Sequence, residues 1–380
     1  MQEKIKQYQE SCTPEMHKLL SDLVAIPAPS NHEELRAAFC KDWFEKQGAE
    51  GVYIDEALNC VLPINCDGRD DIVVFAAHTD TVFPDTEPFT LKSDGEKFYA
   101  PGVGDDTASL AVLMMVAKFI LQNKIQPKRG ILIVANAAEE GLGNLRGVKK
   151  LMEDYRGRVK EFYTIDARYA NVYSRCVGSH RYEIECATQG GHSFAAFGRP
   201  NAIAELATLI TDLYSVKVPP KKGCKTTYNV GSIEGGTSVN TIAQNAKMLY
   251  EYRSDDAECL AIMQKHFEDA MERAQARGNA TFTVKTVGIR PCGGDVDKDV
   301  HNRMIEKTIA ICEKHTGLPC TPRSASTDCN IPMSLGIPSL CFGVYEGGGA
   351  HTREEYVVID SLPIGLRIAF DLILGYFNEE

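Results

Sequence analysis

Four short runs constrain this chain more than anything else in it. Ile72–Ala77, Ile131–Ala135, Phe162–Ile165 and Ser339–Phe342 carry apolar residues with no polar alternation. A strand with one wet face alternates apolar and polar side chains; a strand without that alternation suits a parallel sheet covered by helices on both faces. Between the first two runs lies Thr107–Leu121, apolar nearly all round, which reads as a buried helix. Residues 14–48 read as two further helices, the second (Glu33–Gln47) with Leu35, Phe39 and Trp43 at helical spacing. Strands alternating with helices imply an α/β domain whose sheet is mostly parallel.

The pattern changes between Gly178 and Arg290. Tyr182–Thr188 reads as a strand, Asn201–Val216 as a helix, and Thr226–Ile233 and Lys247–Arg253 as strands. A long helix, Asp256–Arg277, and a last strand, Thr281–Gly288, complete the order β-α-β-β-α-β of a ferredoxin-like α+β unit. Residues 178–290 are therefore expected to form a second domain inserted into the first, which comprises 1–177 and 291–380. The helix Asn201–Val216 carries Ile203, Leu206, Ile210 and Leu213 on one stripe, which suits packing inside that domain.

A chain of 380 residues, 44% of them apolar, can bury the cores of two such domains. Its formal charge of −11 disfavours nucleic acid or an anionic membrane as a partner. Met1–Glu10 is too polar for a signal peptide, and no apolar stretch approaches the roughly 20 residues that span a bilayer. Thirteen cysteines, an odd number with no Cys-x-x-Cys pair, suit free thiols in a reducing compartment and argue against a thiolate zinc site. A cytoplasmic location is the expectation. Cys329 and Cys341 are read as small apolar packing groups.

In open α/β sheets, ligands bind beyond the carboxyl ends of the strands. Here those ends are rich in metal-ligand residue types. The first apolar run ends in His78 and Asp80, which point to the same side of a strand. Asp105 and Asp106 open the buried helix, the second run leads to Glu139 and Glu140, the third to Asp166, and His351 follows the last. Each alone has an ordinary reading as a helix cap, turn or loop residue. Together they offer two imidazoles and several carboxylates, and uncompensated carboxylates so gathered would repel one another. Two divalent cations sharing a carboxylate would remove that repulsion. Nitrogen and oxygen donors favour zinc, with cobalt or manganese as alternatives. Of the adjacent Glu139 and Glu140, one is suited to ligation and the other to general-base work.

The segments HTDTVFPD, GVGDDTASL, NAAEEGLGNLRG, YTIDA, GGHSFAAFGRPNAI, GGTSVNTIAQNA and GGGAHTREEY resemble those of the co-catalytic zinc metallopeptidases. That clan includes aminoacylase, carboxypeptidase G, peptidase T and succinyl-diaminopimelate desuccinylase. The resemblance covers nearly the whole chain and implies that the inserted domain is a lid, with homodimerisation through it. It implies His78 and Asp166 as ligands of one metal, Glu140 and His351 as ligands of the other, and Asp105 as the bridge. It further implies a cis peptide between Asp105 and Asp106, Asp80 as the residue orienting His78, and Glu139 as general base. His192 would stabilise the oxyanion, and Asn240 and Arg253 would contact substrate. Two departures stand out: Thr107 where relatives often carry lysine or methionine, and Thr-Ile-Ala-Gln after Asn240 in place of the usual Pro-Asp. Asp rather than Glu at 166 resembles the peptidases more than the desuccinylases or aminoacylases.

The expected activity is a peptidase T-like exopeptidase acting on short peptides. An N-acyl amino acid amidohydrolase would use the same site. A scaffold with a purely structural metal would need neither Asp80 nor Glu139, and both are present.

Overall fold

The apolar runs become the middle of an eight-stranded sheet, in the order Tyr53–Ile54, Cys60–Ile64, Gly130–Asn136, Ile72–His78, Val159–Ile165, Ser339–Phe342, Asn171–Cys176, Thr321–Ala325. Ile72–His78 pairs in parallel with both Gly130–Asn136 and Val159–Ile165, and Ser339–Phe342 continues the parallel set. This is a mixed α/β fold with a large, mostly parallel sheet. It is seen in a computed structural model that describes residues 2–378. Val177–Gly293 form one compact unit, and the described residues before and after it form the other.

The missing alternation in the runs has a direct cause. Val73, Phe75 and Ala77 pack into one hydrophobic cluster, while Ile72, Val74 and Ala76 pack into a second. Ile131, Ile133 and Ala135 divide from Leu132 and Val134 in the same way. Both faces are dry, and each Val, Leu, Ile or Phe side chain so buried contributes about 1.5–3 kcal/mol. The helix Ser109–Gln122 lies in the first cluster with Leu362–Asn378, and its residues from Ser109 to Ala117 are all buried.

Four strands of this sheet were not anticipated: Tyr53–Ile54, Cys60–Ile64, Asn171–Cys176 and Thr321–Ala325. Cys60–Ile64 contains Pro63, which a sheet interior would exclude. Its outer neighbour reaches only Cys60 and Val61, so Pro63 sits where the strand is an edge. The helix Glu34–Lys46 also turns differently from the expected stripe. Its buried residues are Arg36, Ala37, Cys40 and Phe44, whereas Leu35 is 66% exposed.

Val177–Gly293 runs strand Gly178–Ala187, helix Ala202–Leu213, strands Thr226–Gly235 and Asn245–Ser254, helix Ala257–Ala276 and strand Thr281–Arg290. The four long strands form an antiparallel sheet in which Gly178–Ala187 and Asn245–Ser254 are central. Asn201 and Asp256 cap the two helices, accepting backbone N–H bonds from the first turn. Leu206, Leu209 and Leu213 bury themselves on this sheet with Met263 and Phe267, while Ile203 is left 41% exposed. All thirteen cysteines are free thiols, and Cys329 and Cys341 are buried. Among the described residues, no helix is long and apolar enough to cross a membrane.

Candidate metal centre

His78 is the last residue of the strand Ile72–His78, so its backbone is held by the sheet. Its ring is oriented from behind. Nδ1–H donates to the carbonyl of Asp80 at 3.0 Å, with the Asp80 carboxylate 3.4 Å away. That leaves Nε2 to face Asp105 Oδ1 at 3.0 Å. The other oxygen of Asp105 lies 3.2 Å from Nε2 of His351. One carboxylate thus stands between two imidazoles, each addressed by a different oxygen.

Asp105 comes from a turn, Val103–Ala108, that leads into the buried helix, and its peptide bond to Asp106 is cis. Asp106 does separate work: its carboxylate accepts the backbone N–H of His78 at 3.0 Å. Thr107, the departure noted in the sequence, is buried, and its hydroxyl donates to the carbonyl of Gly102 at 2.6 Å. Gly102 itself has φ +70°, and a Cβ there would lie 2.6 Å from Thr81.

Glu139 and Glu140 follow the strand Gly130–Asn136 and are both buried. Their backbone is held by carboxylates rather than by the sheet. Asp80 accepts the N–H of Glu139 at 2.9 Å and of Glu140 at 3.0 Å. Glu33 accepts the N–H of Ala138, a residue at φ +60°, at 3.0 Å. Glu140 Oε1 then accepts from His351 Nε2 at 3.0 Å. Asp166 closes the strand Val159–Ile165, its N–H bonded to Phe342.

Three groups of side chains in this unit bring ligand atoms within 4.8 Å of one another: His78 with Asp105 and Asp166; Asp105 with Glu140 and His351; and His78 with Glu139 and Glu140. The five residues read from the sequence as ligands thus fall into two groups sharing Asp105, and Glu139 lies beside them.

The electrostatics show why a cation fits here. Burial, with Asp105 and Glu139 nearby, pushes Glu140 up to about 7. Burial and the charges of Asp105 and Asp106 hold Asp166 well above the usual carboxylate range. Asp105 runs the other way: despite burial, hydrogen bonds from His351 and His78 hold it far below its ordinary value. His351 is pushed up to about 10 by its bonds to Asp105 and Glu140. Burial disfavours the charged ring of His78, but Asp105 and Asp80 outweigh that and raise it well above the ordinary imidazole value. Protons on imidazoles here hold carboxylates together, which is the work a divalent cation does better. Two nitrogens and three carboxylates form a donor set suited to a pair of such ions.

The other three residues lie in Val177–Gly293. His192 belongs to a short strand, Gly191–His192, that pairs with Thr241–Ile242, and Ser193 N–H donates to the carbonyl of Asn240. His192 and Asn240 are therefore neighbours. The Nδ1 of His192 accepts backbone N–H bonds from Phe194 and Ala195 at 3.3 and 3.4 Å, which places the ring proton on Nε2. Arg253 is elsewhere. It pairs with Ser179 and Thr227 near the far end of the strand Asn245–Ser254, where its guanidinium binds Glu251 at 2.9 Å. The eight residue steps from Asn245 to Arg253 span roughly 26 Å of strand, so one copy of this unit does not gather all three.

Sequence reasoning missed Glu33 and Glu355, the buried carboxylates that hold the ligand loops. Glu355 accepts N–H bonds from Gly102, Gly104 and Asp105. Glu355 lay inside the GGGAHTREEY segment, but nothing there distinguishes the carboxylate that turns inward from Glu354 beside it.

Residues 74–375 match the model of a family described as Peptidase family M20/M25/M40. Among curated proteins, the succinyl-diaminopimelate desuccinylase of Corynebacterium glutamicum is 22% identical over 361 residues, covering 90% of this chain and 92% of that one. Among solved structures, a tripeptidase from Staphylococcus aureus superposes with a TM-score of 0.78 at 23% identity, over 97% of this chain and 99% of that one. The aminopeptidase PepT from Bacillus cereus gives 0.71 at 21% identity, over 96% and 98%.

Proposed function

This chain belongs to peptidase family M20/M25/M40, metal-dependent hydrolases of peptide or amide bonds, and from that premise we propose that it is an exopeptidase of short peptides. The observation that carries the proposal is Asp105, standing between His78 and His351 with Glu139 beside the same cluster. His78, Asp105 and Asp166 would hold one cation and Asp105, Glu140 and His351 the other, with zinc the best match to the donors and cobalt or manganese as substitutes. Bound there, the cations would polarise the scissile carbonyl and acidify a water.

The remaining work falls to the chain. Glu139 takes the proton of the attacking water and returns it to the leaving amine. Asp80 keeps His78 in one orientation and fixes the backbone of both glutamates. His192, with its proton on Nε2, donates to the oxyanion. Asn240 and Arg253 contact substrate, Arg253 by holding a carboxylate. Because His192 and Asn240 lie far along the sheet from Arg253, a homodimer assembled through residues 178–290, acting as a ferredoxin-like lid, would let two copies supply the two ends of one site.

Peptides are favoured over acylated amino acids by Asp166, which matches the peptidases of the clan, and by the tripeptidase and aminopeptidase among the structural neighbours. The desuccinylase relative supports a second reading, an N-acyl amino acid amidohydrolase using the same residues. The deciding experiment assays unblocked di- and tripeptides beside N-acetyl and N-succinyl amino acids on zinc- or cobalt-loaded enzyme. Faster turnover of the acylated series would replace the first reading with the second; no hydrolysis of either would remove both.

A further inference from the structure

We propose that Glu355 is a positioning residue of the metal centre, one that locks the Asp105 turn to the His351 segment and thereby sets how tightly the second cation is held. The inference rests on the two-cation reading above. Glu355 is 2% exposed, and its carboxylate faces backbone rather than ligands. Oε2 accepts the N–H of Gly102 at 2.8 Å, and Oε1 accepts those of Gly104 and Asp105 at 2.9 and 2.8 Å. Charge-assisted bonds of this kind are about twice as strong as neutral ones. Its own carbonyl accepts the N–H of Ala100 at 3.2 Å.

The surrounding structure leaves this turn little room to move. Tyr356–Val358 follows directly after Glu355 and pairs antiparallel with Lys97–Tyr99, which leads into the Asp105 turn. A Cβ on Gly104 would lie 2.9 Å from the Tyr345 ring and 3.0 Å from Glu355 Oε1. Gly104 is thus a close approach that admits the carboxylate.

The effect should differ between the two cations. His78 and Asp166 close strands of the central sheet, and His78 is oriented independently by Asp80. Glu140 and His351 stand in loops, and His351 lies four residues before Glu355 on the same segment. Asp105 serves both cations and His351 only the second, so Glu355 reaches one of the three ligands of the first cation but two of the three of the second. A carboxylate that merely stabilised the fold would affect both cations alike.

The test is stepwise cobalt(II) titration of metal-free wild type, Glu355→Gln and Glu355→Asp, followed by visible absorbance and calorimetry. Wild type should take two equivalents. In Glu355→Gln the first should bind within about 3-fold of wild type and the second about 10- to 100-fold more weakly, with Glu355→Asp between them. Equal weakening of both steps, or of neither, would overturn the role assigned to Glu355. Should Glu355→Gln not fold, the same comparison is read from Glu355→Asp. A wild type that takes fewer than two equivalents would instead remove the two-cation reading itself.

Discussion

The Oδ2 of Asp80 accepts the backbone N–H of Glu140 at 3.0 Å, tying the residue behind His78 to a ligand from a different strand. Oδ1 does the same for Glu139 at 2.9 Å, and Ser30 donates a further bond at 2.6 Å. Asp80→Asn would turn an amide N–H₂ toward at least one of these donors and weaken the hold on the His78 ring. Metal affinity and turnover should each fall about 10- to 100-fold, measured by chelator competition and steady-state kinetics. Ser30→Ala removes one bond and should cost only about 1 kcal/mol of stability. Wild-type zinc affinity in Asp80→Asn would show that the sheet alone orients His78.

Glu139→Gln separates ligation from proton transfer. Glu139 is within reach of His78 and Glu140, but the two ligand groups that share Asp105 do not include it. The variant should keep both cations by elemental analysis and lose about two to four decades of kcat. Near-normal turnover would assign the base elsewhere.

Loading the centre should release protons. His351 is pushed up to about 10 by its bonds to Asp105 and Glu140, so in the metal-free protein it is charged at neutral pH. Its folded value lies above the unfolded one. This contact therefore stabilises the metal-free fold fully below about pH 6.5 and fades as pH rises through about 10. A cation needs the neutral ring, so binding must expel that proton and weaken as pH falls. Zinc titrations at pH 7 in two buffers of different ionisation enthalpy should differ in heat by at least one proton equivalent. Heats independent of buffer would contradict the protonated imidazole.

Legibility in the sequence followed burial. The runs through Val74 and Ile133 were readable because both sheet faces are dry, and the helices after Asn201 and Asp256 because capping residues mark their starts. Thr321–Ala325 lies at the sheet edge, largely exposed and polar, and carried no such signal. Leu35 misled because an apolar residue can sit one position off the buried face at no great cost. The ligands were readable by residue type at strand ends. Glu33 and Glu355 were not, because their partners near the site are backbone N–H groups, which leave no mark in the sequence.

Asp328 offers a test that needs no metal. It is fully buried, with Oδ2 accepting from the Asn136 amide at 2.6 Å and Oδ1 without a hydrogen-bond partner. Burial first, and then the charge of Glu139, push it up to about 7. A carboxyl raised above its unfolded value favours the fold only while protonated, so its contribution declines as pH rises from about 4 through about 7. Asp328→Asn is close in shape and cannot ionise. On stripped protein it should match the parent near pH 4 and exceed it by about 2–4 kcal/mol at pH 7.5. Thermal and urea melts across that range would show the gap opening as pH rises. A constant gap would mean that Asp328 keeps its charge throughout, stabilised by a group other than Asn136.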